Sequence, residues 1–475
     1  MRSFRRLLTL SAAAALAASL VPATMAVTAA SVPSSASKVV SAYFADWDVY
    51  GRAYFVKNIP ADKINTILYA FGKPTADGGC SVIDPWADYQ MVYWGGENSV
   101  DGQADNFGNN GNLYGNFNQL KKLKALHPDL KVLISLGGWS LSTYFSDVAA
   151  TPASRAHFVS SCIDTFIKGN LPTGGWPEDA GGIGAAAGIF DGIDIDWEYP
   201  GIDPGNGAHY SAADRSNATL LFEEFRSQLD ALGATTGKHY VLAAALPAAD
   251  VHSSGSYDLK AVGKILDYAN VMTYDFHGAS DAYTAFNSPL SRDNADPAAK
   301  DKYWNVEGTI DFYRKAGFPL NKVVLGVPFY GKQYIGVGTA NHGLYQAFDN
   351  TGLNINSLHG DAQPTPTFHQ LVDQLGIVGA NGLGQNGYTT YVDWKAGEPW
   401  LWNPAGSHSV VDANDNVVGT FVSPTFISYE TPLTVLARNQ LVRADGLRGI
   451  FAWEISQDSD ALALTNAMGY GLLGH

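Results

Sequence analysis

Short runs of β-branched and aromatic residues alternate along this chain with longer stretches whose apolar positions recur at three and four. Eight runs have strand character: Val39 to Phe44, Ile64 to Phe71, Lys131 to Leu136, Gly192 to Trp197, Tyr240 to Ala245, Asn270 to Tyr274, Val323 to Val327 and Gly449 to Trp453. Between them lie segments such as FNQLKKLKALHP and ATLLFEEFRSQLDALG, amphipathic at helical period and closed near Gly or Pro. Repeated strand and helix units of this kind predict an α/β fold, a closed (β/α)8 TIM barrel. Such a barrel carries its chemistry at the C-terminal ends of its strands.

Two spacings break the rhythm. Residues 72 to 130, between the second and third runs, are rich in Gly, Asn and aromatics and predict an ordered surface loop beside a cleft. Residues 332 to 423, before the last run, turn to Gly-, Thr- and Asn-rich text with alternating segments such as GYTTYVDW and VVGTFV. They predict a small α+β insertion, built as a wall on one side of the barrel mouth, within a catalytic domain of residues 38 to 475.

Composition narrows the class. With 46% hydrophobic and 16% charged residues in 475, the chain has ample material for a large core. Residues 1 to 30 read as a secretory signal: Arg2, Arg5 and Arg6, an apolar stretch from Leu7 to about Val21, then small residues. The adjacent Arg5 and Arg6 fit a twin-arginine route or an ordinary basic n-region. Without that segment the net charge moves from −15 to −18, which disfavours nucleic acid and anionic membranes as partners. A secreted, extracellular, monomeric protein is expected. Cys80 and Cys162 are the two cysteines; one disulfide, or a buried free thiol at Cys162, fits an exported chain.

The segment FDGIDIDWEYP, Phe190 to Pro200, carries the chemistry. Strand alternation sends Ile193, Ile195 and Trp197 to one face and Asp194, Asp196 and Glu198 to the other. Three carboxylates on one buried face repel one another and lose hydration, so they cannot all ionise cheaply. Glu198, the outermost, is suited to hold a proton near neutral pH and act as general acid, with the cluster titrating as a unit. Asp191, of opposite parity, is expected at a turn or a structural hydrogen bond. Asp194 and Asp196 are also residue types that bind divalent metal, but no nearby His joins them. No metal and no cofactor are predicted.

DGIDIDWEYP resembles the DxxDxDxE signature of family 18 glycoside hydrolases, the chitinase family. SLGGW, Ser135 to Trp139, resembles the family's SxGG motif, and MTYDF, Met272 to Phe276, its MxYDF motif. YFADWDVYGRAYFVKNIP, GVPFYG and FAWEI resemble the first, seventh and eighth strands of bacterial chitinases with an insertion domain. The resemblance implies hydrolysis of chitin and chitooligosaccharides by a substrate-assisted retaining mechanism. Glu198 would be the proton donor, Asp196 would hold the substrate acetamido N–H, Asp194 would store the displaced proton and Tyr274 would bond the acetamido oxygen. Trp453 would floor the site, with Met272, Asp275, Trp139, Tyr43, Tyr330 and Lys332 also binding substrate. Read without the resemblance, Trp453, Tyr274 and Met272 are equally core side chains, and Trp139 either stacks on sugar or fills a gap. Trp47, Tyr50, Trp86, Trp94, Trp400 and Trp402 are further candidate platforms. Two departures stand out: Lys332 replaces the family's sugar-contacting Arg, and Ser280 replaces an aromatic six residues after Tyr274. A non-catalytic chitin-binding lectin and an endo-β-N-acetylglucosaminidase acting on N-glycan cores are the competing readings.

Overall fold

The computed structural model describes residues 38–106, 112–203, 205–248 and 255–473, so the signal-like segment lies outside the described residues. In chain order the strands are β1 (Val39–Ala45), β2 (Thr66–Pro74), β3 (Cys80–Val82), β4 (Lys131–Gly137), β5 (Gly192–Asp196), β6 (Val241–Pro247), β7 (Tyr268–Met272), β8 (Val323–Pro328), β9 (Lys332–Tyr334), β10 (Thr389–Asp393), β11 (Glu398–Val411), β12 (Val417–Ser428) and β13 (Gly449–Trp453). The helices are α1 (Gly115–Leu126), α2 (Phe145–Ala149), α3 (Pro152–Cys162), α4 (Asp214–Thr236), α5 (Leu259–Ile265), α6 (Val306–Ala316), α7 (Pro432–Ala444) and α8 (Ala463–Gly469).

Eight parallel strands, β1, β2, β4, β5, β6, β7, β8 and β13, close on themselves through the β1–β2 and β1–β13 pairings, which makes the predicted barrel. Alternation along each strand sorts the side chains into two cores. Outward residues such as Ile134, Ile193, Ile195 and Leu325 pack against the helices together with Phe158, Phe222 and Val435. Inward residues Val39, Leu68, Leu133, Ala243, Tyr268, Val324 and Phe451 fill the ring. Helix starts follow local chemistry: Thr151 caps α3 and Thr431 caps α7 by accepting the N–H three residues on, each with Pro at the first turn, and Asn305 caps α6 in the same way.

The sixth predicted run differs from the observed strand. The run Asn270 to Tyr274 was expected to be extended throughout, whereas β7 starts two residues earlier and ends at Met272. Thr273 turns its N–H back to the Val271 carbonyl, and Asp275 adopts a positive φ of 55°. Tyr274 and Asp275 therefore sit on the turn above the strand.

Cys80 and Cys162 form a disulfide that ties the β2–β3 hairpin to the end of α3. After β8 the chain builds a second, antiparallel sheet in the order β10-β11-β12-β9. Trp400, Trp402, Phe426, Tyr334 and Phe286 make a separate apolar cluster on it.

Candidate active site

β5 begins where Asp191 accepts the Val132 N–H at 2.9 Å and the Lys124 ammonium at 2.7 Å, the structural role its parity predicts. From there Ile193, Ile195 and Trp197 go outward, Trp197 stacking on Phe145 with centroids 5.3 Å apart, and the acids go inward. Asp194 lies fully buried within the ring. Three strands supply its donors: the Tyr43 hydroxyl at 2.8 Å, the Ser135 hydroxyl at 2.8 Å and the Asn270 amide at 3.0 Å. Burial raises the Asp194 carboxyl above its usual range, and these three hydrogen bonds oppose the rise.

Asp196, one pleat higher, is equally buried, but its Oδ1 receives no hydrogen bond. Burial, then the charges of Glu198 and Asp194, push its carboxyl well above the ordinary range. Glu198 is half-buried at the strand end, its backbone N–H held by the Ser142 hydroxyl at 3.1 Å. Burial pushes its carboxyl up to about 7; a hydrogen bond from Tyr199 opposes the shift and the charge of Asp275 adds to it. The ladder thus runs from a satisfied carboxylate at the bottom to a protonatable acid at the top.

The glycines of the SLGGW segment let two strands meet under this ladder. Gly137 has φ of 113°, and a side-chain carbon there would lie 2.2 Å from the Asp196 carbonyl oxygen. The Gly138 N–H donates to that same oxygen at 2.7 Å.

Above the acids opens a cavity of about 560 Å³. Nine of the eleven residues assigned a catalytic or substrate-binding role line it: Glu198, Asp196, Tyr274, Trp453, Met272, Asp275, Trp139, Tyr43 and Tyr330. Trp453 packs on Phe71 with a 5.9 Å centroid distance and 22° between planes, and on Tyr43 at 5.0 Å, so its indole is braced from below. Tyr274 sits over Gly326, where an added side-chain carbon would come within 2.7 Å of its ring. Burial and the neighbouring carboxylates hold the Tyr274 and Tyr43 hydroxyls in their protonated, donating form. Trp139 is 51% exposed and Trp47 43%, both on the cavity wall.

Asp194 does not line the cavity; it lies below it. Lys332 does not line it either; its ammonium lies 2.6 Å from Asp275 Oδ1. Trp400 and Trp402 are buried in the second sheet rather than offered as platforms. Trp86 and Trp94 are exposed and cluster with Trp176 at ring distances of 6.0 and 6.2 Å, and Tyr50 donates to Asp84 at 2.6 Å. The structure adds Phe71, Tyr199, Phe276, Trp304 and Leu141 to the lining. Tyr199 adjoins the acidic motif and Phe276 closes MTYDF, so both were within reach of the sequence; Trp304 lies in no motif and carried no signal. Among the described residues, His369, Asp373 and Asp460 come close enough together to share a cation, but they lie outside this cavity and Arg52 reaches Asp460.

The profile of Glycosyl hydrolases family 18 matches residues 39–458. Chitinase A1 of Niallia circulans is 32% identical over 88% of this chain, and Chitinase C of Streptomyces lividans 32% over 90%. The chain spans 56% and 58% of the length of those two relatives. Among solved structures, the catalytic domain of psychrophilic chitinase B from Arthrobacter TAD20 superposes with a TM-score of 0.77 at 34% identity, covering 92% of this chain and 96% of that one. Chitinase ChiA74 from Bacillus thuringiensis superposes with 0.74 at 30% identity, covering 92% and 70%. The acid ladder inside a closed barrel and the match across nearly all described residues agree: this chain belongs to glycoside hydrolase family 18.

Proposed function

We propose that the protein is a secreted chitinase that hydrolyses β-1,4 bonds between N-acetylglucosamine units with retention of anomeric configuration. The observation that carries this reading is the graded ladder: Asp194 satisfied by three donors, Asp196 with a free oxygen, and Glu198 able to hold a proton near neutral pH beneath an aromatic-lined cavity. Glu198 gives its proton to the glycosidic oxygen as the bond to the anomeric carbon breaks. The carbonyl oxygen of the substrate's own acetamido group closes on that carbon, and the leaving sugar departs as an alcohol. Asp196 Oδ1 accepts the acetamido N–H and compensates the positive charge of the oxazolinium ion. Tyr274 donates to the acetamido oxygen and keeps it aligned. Water then attacks the anomeric carbon and returns a proton to Glu198. Asp194 stores the proton that Asp196 gives up, which leaves Asp196 charged beside the oxazolinium ion, while Tyr43 and Met272 shape the pocket. Trp453 receives the apolar face of the sugar, and Trp139, Tyr330 and Asp275 contact neighbouring rings. Export rests on the basic and apolar character of residues 1 to 30.

The test is product analysis on N-acetylglucosamine hexamer. The expected result is short products that are β-anomeric when formed, made by the parent protein with or without chelator. Binding without cleavage would replace this reading with a lectin. Cleavage confined to N-glycan cores would replace chitin as the substrate.

A further inference from the structure

Lys332 is the residue at which this chain departs from its family's arginine, and its surroundings give it a different task. It stands on β9, paired with Ser428 of β12, so the second sheet fixes its backbone. Its side chain is 14% exposed, its ammonium lies 2.6 Å from Asp275 Oδ1, and it rests 5.1 Å from the centre of the Tyr330 ring. Asp275 is gripped from the other side as well. Its N–H donates to Asn287 Oδ1 at 3.0 Å, while Asn287 donates through its amide to the Tyr330 carbonyl at 3.1 Å and through its backbone N–H to the Ser428 hydroxyl at 2.9 Å. One asparagine therefore joins the turn after β7, the end of β8 and the second sheet.

We propose that Lys332 is a positioning and charge-balancing residue for Asp275, not a sugar ligand, and that through Asp275 it tunes the proton donor Glu198. The groups facing Glu198 are Asp196 on β5, Tyr199 beside it, Tyr257 ahead of α5, and Tyr274 and Asp275 on the turn after β7. Those facing Asp275 are Lys332 from β9 and the Tyr330 hydroxyl after β8. Among these groups Lys332 is the cation. Asp275 raises the proton affinity of Glu198 by like charge, so a cation 2.6 Å from that carboxylate offsets part of the rise. The second sheet, which lends no strand to the barrel, thereby reaches the catalytic acid.

The inference rests on Glu198 as the proton donor and is tested by the pH profile of kcat/KM on hexamer. K332Q should move the descending limb upward by roughly half a pH unit, less than the ~1–3 units of a direct charge contact. K332R should keep the parent limb, and in the D275N background, where no carboxylate is left to hold the ammonium, K332Q should move the limb less than it does in the parent. The same shift is readable without turnover, as the pH at which the stability gap between the parent and E198Q levels off, measured with and without K332Q. An unmoved limb with a raised KM for hexamer would overturn the inference and make Lys332 a sugar ligand. A parent protein that fails to cleave hexamer would instead sink the chitinase reading, and the stability gap would still decide the role of Lys332.

Discussion

Glu398 at the head of β11 and Glu430 ahead of α7 are as buried as Asp194 and Asp196 in the barrel, but the two pairs are compensated differently. Arg438, itself fully buried, reaches Glu398 Oε1 at 2.6 Å and both oxygens of Glu430 at 2.7 and 2.8 Å, and also donates to the Ser288 hydroxyl. The barrel acids receive hydroxyl and amide donors at Asp194, and Asp196 keeps one oxygen unpartnered. A buried cation fixes charge; neutral donors leave it free to move as a proton. The first arrangement suits a joint between sheet and helix, and the second suits proton transfer.

Four changes would break or sharpen this contrast. The largest effect is expected from Glu198→Gln, which should lower kcat on hexamer by roughly 10²–10⁴-fold, the range of general acid catalysis. The same change should stabilise the protein at pH 7. Glu198 is held up to about 7, so the folded state binds more protons than the unfolded chain between the free carboxyl range and that value, and the parent loses stability as pH rises through this window. Melting curves of parent and variant should converge near pH 4. Convergence at all pH values would mean that the burial of Glu198 carries no stability cost.

Arg438→Leu should cost about 3–5 kcal/mol at pH 7, because it strands two buried carboxylates. Burial already raises both carboxyls, so without the guanidinium the folded state takes up protons and the deficit should shrink in acid. Urea unfolding at pH 7 and pH 4 would measure this, and equal losses would argue that packing rather than charge is at stake. Replacing Cys80 and Cys162 by Ser should cost about 2–4 kcal/mol by freeing a loop of 82 residues, with the pH limbs of activity unmoved. Smallest is Asp275→Asn, which should shift the descending limb of kcat/KM below about 7 by less than one unit, since it removes a like charge beside Glu198. An upward shift would reverse the sign assigned to Asp275.

What could be read in the sequence was whatever repeats along one strand. Alternation in GIDIDWE separated Ile193, Ile195 and Trp197 from the acids, and the eight apolar runs lie on the eight barrel strands, with Gly449–Trp453 matching end for end. What depends on distant neighbours could not be read. Asp194 takes its donors from residues 43, 135 and 270, and Lys332 meets Asp275 across a sheet boundary. Trp400 and Trp402 look like surface aromatics in Gly-rich text until β11 folds onto β12 and buries them. The early end of β7 at Met272 goes with Thr273, whose N–H turns back to Val271, and with the positive φ of Asp275, neither of which has a periodic signature.

The pairing of β1 with β13 also gives one strand two tasks. Val39 aligns with Gly449, so the first barrel strand needs the last one to cover its free edge. Trp453 stands on that same closing strand. Both the closing edge of the ring and one aromatic wall of the cavity are therefore supplied by the same short strand, so neither is complete without it.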